Sequence, residues 1–114
     1  MVNTKTIGND GEDKASKYII SKNIDIIEKN FNTRYGEIDI IGIKNKIIYF
    51  YEVKYRSSSY FGHGEEAISK SKIRKLKQSI EIWINKNRRY LNYDKYLNAI
   101  IISYDNEIVE FEIL

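Results

Sequence analysis

The 114-residue sequence has no cysteine, no proline and a single histidine, and each lack closes off some chemistry. Without cysteine there is neither a disulfide framework nor a thiolate metal site, and His63 alone cannot build a histidine-rich one. Any metal must therefore rest on oxygen ligands. Long hydrophobic runs are also missing: IIYFY at 47–51 is far too short for a signal peptide or a membrane span, and the N-terminal MVNTKTIGNDGEDK is polar. A cytoplasmic protein with no membrane partner is the expectation. The lack of proline accompanies an abundance of Ile, Lys, Asn and Tyr, a bias that low-GC coding produces unaided. The 19 Lys+Arg against 16 Asp+Glu, a net charge of +3 and a pI near 9.0 thus permit a polyanionic partner without demanding one. What matters is where the lysines sit.

The length fits one domain covering 1–114, large enough for a core without staples. Ala15, Tyr18 and Ile19 at helical spacing predict a first helix from about 10 to 22. NIDIIEKNF at 24–32 reads as a strand. GEIDIIGI and KIIYFYEVKYR flank a Lys44-Asn45-Lys46 turn and read as a hairpin. Ile73, Leu76, Ile80, Trp83 and Ile84 form one helical stripe, with Ser69 or Ser71 as N-cap, so a second helix spans about 69–87. YLNAIIISY and EIVEFEIL, joined at Asp105-Asn106, close a second hairpin. The order α-β-β-β-α-β-β predicts an α/β fold, a mixed sheet with one helix on each face or both on one.

Inside that first hairpin sit charges that a strand covered on both sides should avoid. Residues two apart share a face, so Phe50, Glu52, Lys54 and Arg56 point one way, while on the partner strand Glu37, Asp39 and Ile41 share a face. A two-residue loop at Asn45-Lys46 sets Asp39 across from Glu52, with Cβ atoms about 4.5–5.5 Å apart. Like charges so placed destabilise a sheet unless something binds them, and a divalent cation does. Mg²⁺ takes carboxylate oxygens while keeping places for water and phosphate oxygens. With Lys54 on the same face, the set suits metal-assisted phosphodiester hydrolysis. A solvated strand edge is the plain alternative for Glu-x-Lys alone.

Gly8-x-x-Gly11-Glu12-x-x-Ala15, Asn30-Phe31, Gly36-Glu37-Ile38-Asp39-Ile40-Ile41, Phe50-Tyr51-Glu52-Val53-Lys54-Tyr55-Arg56, Phe61-Gly62 and Ala67 through Lys72 follow in that order. Together they resemble the YraN-like family of small bacterial proteins, similar to the archaeal Holliday junction resolvases of the PD-(D/E)xK nuclease superfamily. The resemblance covers about 5–85 and implies a restriction-endonuclease-like fold. It also implies Asp39, Glu52 and Lys54 as catalytic residues, Glu12 as an additional helix-borne acid, and the Val53 backbone carbonyl as a further ligand for Mg²⁺ or Mn²⁺. A homodimer acting on branched DNA is implied likewise. The superfamily's proline is replaced by Ile38, and the family's usual Arg-Phe-Asp ahead of a late strand is here Tyr96-Leu97-Asn98.

Glu12 has a second reading, as the third position of a capping box begun by Asn9. Lys72 borders the apolar stripe of the second helix within reach of the site, amid Lys70, Arg74, Lys75 and Lys77. Arg56, Lys72 and Lys75 are the candidate phosphate contacts, although a solvated helix face also explains the basic helix. Tyr60, Phe61 and His63 lie in a Gly-bearing loop that clamps nucleic acid or merely connects. Trp83 reads as core. The reading is a Mg²⁺- or Mn²⁺-dependent DNA endonuclease; its rival is a nucleic-acid-binding or scaffold protein that keeps the fold without turnover.

Overall fold

Nine-residue runs rich in β-branched and aromatic residues become β1 (Asp25–Thr33), β2 (Gly36–Lys44) and β3 (Ile47–Tyr55). The computed structural model describes residues 4–56 and 68–114, with side chains from Glu12 onward. Tyr60, Phe61, His63, the Phe61-Gly62 motif, Ala67 and the side chain of Asn9 lie outside these residues. Asn45 and Lys46 both take positive φ, 50° and 63°, the left-handed pair of a two-residue hairpin turn. Lys44 then faces Ile47 and Ile40 faces Tyr51, the register that sets Asp39 opposite Glu52.

From β3 the chain crosses through α2 (Lys70–Lys86) and a 3₁₀ turn, Arg88–Tyr90, to β4 (Asp94–Ile102), which pairs parallel to β3. A parallel neighbour requires such a crossover. β5 (Ile108–Glu112) returns antiparallel and gives a mixed sheet in the order β1-β2-β3-β4-β5. Alternation along β3 decides what covers each face. Ile48 and Phe50 meet Leu76, Trp83 and Ile84 of α2, together with Ile41 and Leu97. Tyr51 meets Ala15 and Ile19 of α1 (Thr4–Ser21), together with Ile40, Ile100 and Ile102. One helix therefore lies on each face, of the two arrangements the element order allowed.

Ser69, in extended conformation, caps α2 by accepting from Lys72 N–H at 3.1 Å. α1 departs from expectation. It begins at Thr4 rather than near residue 10, so Asn9 and Glu12 sit inside the helix and the capping-box reading fails. Gly8 and Gly11 cost about 1 kcal/mol each relative to alanine but do not stop a helix anchored downstream by Ala15 and Ile19.

Candidate metal centre

Counting along the ladders, Asn30 of β1, Asp39 of β2 and Glu52 of β3 form one row across the sheet. At this row the strands part. β2–β3 pairing ends at Ile40 and Tyr51, and the Val53 N–H, instead of joining the ladder, donates to Asp39 Oδ2 at 2.7 Å. On the other side, Asn30 takes φ 56°, a left-handed conformation that asparagine tolerates better than most residues. With its amide nitrogen facing them, the Asn30 side chain donates to Glu12 and to Glu37 Oε1, each at 2.8 Å. Glu12 of α1 and Glu37 and Asp39 of β2 then each offer a carboxylate oxygen, all within 4.8 Å of one another. Oxygens on opposite sides of Mg²⁺, bonded at about 2.0–2.1 Å, lie about 4.1 Å apart, so a sub-ångström adjustment closes this set on one ion. The residues fit a hard divalent cation.

The description "Uncharacterised protein family UPF0102" matches residues 11–103, more than three-quarters of the sequence and every residue of this row. The chain belongs to the UPF0102 family. Its relatives include UPF0102 proteins of Fusobacterium nucleatum, 41% identical over 92 residues covering 81% of this chain and 76% of the relative, and of Dictyoglomus turgidum, 35% identical over 114 residues covering 99% and 97%. One from Clostridium perfringens is 36% identical over 109 residues, covering 96% and 88%.

Electrostatically this UPF0102 chain crowds its acids together, so that burial and mutual repulsion raise their proton affinity. Burial, followed by the charge of Glu52, pushes the Asp39 carboxyl up to about 8, against which the Val53 hydrogen bond works. Burial likewise raises Glu12, opposed by the Asn30 hydrogen bond and reinforced by Glu37. Glu52 is only 6% exposed, and burial raises it too, opposed by Lys72 and Lys54. Its Oε1 lies 3.7 Å from Lys72 Nζ, while its buried Oε2 has no hydrogen-bond donor among the described residues. An orphaned buried carboxylate oxygen costs about 1–3 kcal/mol or more, which a bound cation removes.

The expected pair Asp39 and Glu52 thus interact, but the tight three-oxygen group is Glu12, Glu37 and Asp39, with Glu52 turned to Lys72. Strand alternation in the sequence places Glu37 beside Asp39 but gives it no role. Asn30 belongs to the Asn30-Phe31 motif, but its bridging role comes from a left-handed backbone that no spacing announces. Lys54 is exposed beside Glu52, and Lys75 is exposed on α2. Arg56 ends the strand, its N–H donating to the Ile102 carbonyl at 2.8 Å. The Tyr96-Leu97-Asn98 stretch serves the sheet: Tyr96 stacks on Tyr49, Leu97 joins the α2-side core, and Asn98 donates to Glu110 at 2.6 Å. Among the described residues no helix is long and apolar enough to cross a membrane.

Proposed function

We propose that this chain is a single-domain, metal-dependent nuclease of the restriction-endonuclease-like kind, hydrolysing phosphodiester bonds in DNA in the cytoplasm. The observation that carries the reading is the convergence of Glu12, Glu37 and Asp39 within 4.8 Å, with Glu52 and its lysines alongside, at the place where β2 and β3 separate. Glu12, Asp39 and the Val53 carbonyl, joined by Glu37 and by Glu52 once it leaves Lys72, would hold one or two Mg²⁺ or Mn²⁺ ions. When bound, such an ion supplies positive charge to the phosphoryl oxygens and a more acidic water. Lys54 and Lys72, freed from Glu52, hold the phosphate against the acids. Asn30 fixes Glu12 and Glu37 in position, and the Val53 N–H keeps one Asp39 oxygen in place. A symmetric branched substrate suits a homodimer.

The scaffold reading draws on one observation: Lys72 already occupies Glu52, so part of the acid charge is balanced without any ion. Cleavage of a panel of branched, nicked and linear DNAs, run with Mn²⁺ and with EDTA, decides between them. Mn²⁺-dependent cutting that Asp39→Asn abolishes is the expected result. No cutting of any substrate in Mn²⁺ or Mg²⁺ leaves the scaffold.

A further inference from the structure

α2 carries six cations, Lys70, Lys72, Arg74, Lys75, Lys77 and Lys86, and one acid, Glu81. Its surplus alone exceeds the chain's net charge of +3, so the remainder of the chain is net acidic. Apart from Lys86 in the last turn and Lys77 four residues before Glu81, the cations do not sit where helix stability favours them. No acid occupies the first turn, while Lys70 and Lys72 crowd the end where the helix dipole disfavours positive charge. Lys70 with Arg74, and Arg74 with Lys77, are like-charged neighbours at the spacings where opposite charges would stabilise. A face kept only for solubility has no need of either penalty. Beneath it the helix is fixed, with Leu76, Ser79, Trp83 and Ile84 buried, so the cations stand on a rigid support that spans about 10 Å from Lys70 to Lys77 at 1.5 Å per residue.

We infer that this outer face of α2 is the surface on which duplex DNA docks, through phosphate contacts by Lys70, Arg74 and Lys77 with Lys75 beside them. The inference rests on the nuclease reading for the choice of DNA. It also answers a difficulty that reading creates, since a polyanion approaching Glu12, Glu37, Asp39 and Glu52 meets repulsion. An adjoining cationic surface must hold it there. At about 100° per residue Lys72, 3.7 Å from Glu52, lies on the far side of α2 from Lys70, Arg74 and Lys77 with Lys75 between them, so the duplex reaches the acids by spanning the width of the helix, about 10–12 Å. Contacts of this kind are electrostatic and indifferent to base sequence.

The test is fluorescence anisotropy of a 20-base-pair duplex from 50 to 200 mM salt in EDTA, so that no metal or turnover is involved. The wild type is expected to lose affinity with a log–log slope near −3 to −4, about −0.9 per phosphate contacted. Lys70→Gln/Arg74→Gln/Lys77→Gln keeps good helix formers at exposed positions and is expected to melt as the wild type does, to bind at least tenfold more weakly and to flatten the slope by about 3. Lys17→Gln/Lys46→Gln, which removes two charges from α1 and from the β2–β3 turn rather than from α2, should change affinity less than threefold. Unchanged affinity and slope in the triple variant, or an equal loss in the Lys17/Lys46 control, would overturn the docking surface. Asp39→Asn keeps the two readings apart: it should bind duplex at least as well as wild type while losing cleavage. Docking stands if α2 variants lose binding in a chain that never cuts, and falls if they bind and cut normally.

Discussion

Asp39 combines a buried position, a donated backbone N–H and a row of acids on either side, and its proton affinity records the conflict. Folded, its carboxyl titrates near 8 rather than at the ordinary 3.8, so between those values the native protein keeps a proton that the unfolded chain has released. The stability tied to that proton is complete below about pH 4 and is lost as pH rises through 8. Asp39→Asn retains an oxygen for Val53 N–H and removes the titration. Its urea midpoint should therefore exceed that of the wild type by more at pH 8.5 than at pH 5 in EDTA, and a constant gap would contradict this account. Glu110 works in the opposite sense. Burial would raise it, but hydrogen bonds from Lys22, Asn98 and Tyr18 outweigh burial and lower it. Glu110→Ala strips partners from the Tyr18 hydroxyl and the Asn98 amide, and denaturant titration at pH 7 should show a loss of about 1–3 kcal/mol. The register that sets Asp39 across from Glu52 was legible from the turn at Asn45-Lys46 and the period of two along β3, although alternation slips in β2, where Ile38 and Ile41 share the α2-side core and Ile40 lies in the other. The bridging role of Asn30 was not, since a left-handed residue breaks the alternation on which such reading depends, and the Asn30-Phe31 motif marks the residue without its contacts.

Among the elements, β2 shows how tightly the site's supports are fitted. Gly42 lies opposite Ile26 and Tyr49, and a Cβ there would stand 2.6 Å from Ile24 Cγ2 and 3.3 Å from the Asp25 carbonyl oxygen. The side chain can shift, but the strand backbone cannot easily follow. Gly42→Ala should cost about 1–3 kcal/mol, read as a lowered melting temperature, and Ile24→Ala, which removes the Cγ2 atom in the way, should cost less in that chain than in the wild type. A melting temperature equal to wild type would mean that β1 yields more readily than its pairing suggests. The second helix was readable to within a residue because stripe and cap agree: Leu76, Trp83 and Ile84 face inward behind Ser69. The first helix was misplaced at its start, because its apolar contacts lie only toward its end and local signals at Asn9 and Glu12 imitate a cap.

For the whole molecule, a cation that binds only the native state contributes RT ln(1 + [L]/Kd), about 2.7 kcal/mol at a hundredfold excess over Kd. Saturating Mn²⁺ should raise the melting temperature of the wild type and leave Asp39→Asn unmoved, with a larger rise at pH 8 than at pH 6 because the carboxylates must lose their protons to bind. Equal melting curves with and without Mn²⁺ would remove the metal centre. The consequence reaches across the fold, since Glu12 comes from α1 on one face while Glu52 is held by α2 on the other. An ion that draws both into one site ties both helices to the sheet.

The order of elements and the hairpin register that places Asp39 across from Glu52 are properties of local pattern, settled by the period of two along a strand and the two-residue turn at Asn45-Lys46. Which acids form the tight group was decided only in three dimensions. Glu12 arrives on a helix that lies on one face of the sheet, Asn30 turns through a left-handed backbone to bridge it to Glu37, and Lys72 draws Glu52 aside from the opposite face. These contacts join residues distant in the chain, and no spacing along a sequence encodes them, because they depend on how the helices settle once the apolar faces of α1 and α2 are buried.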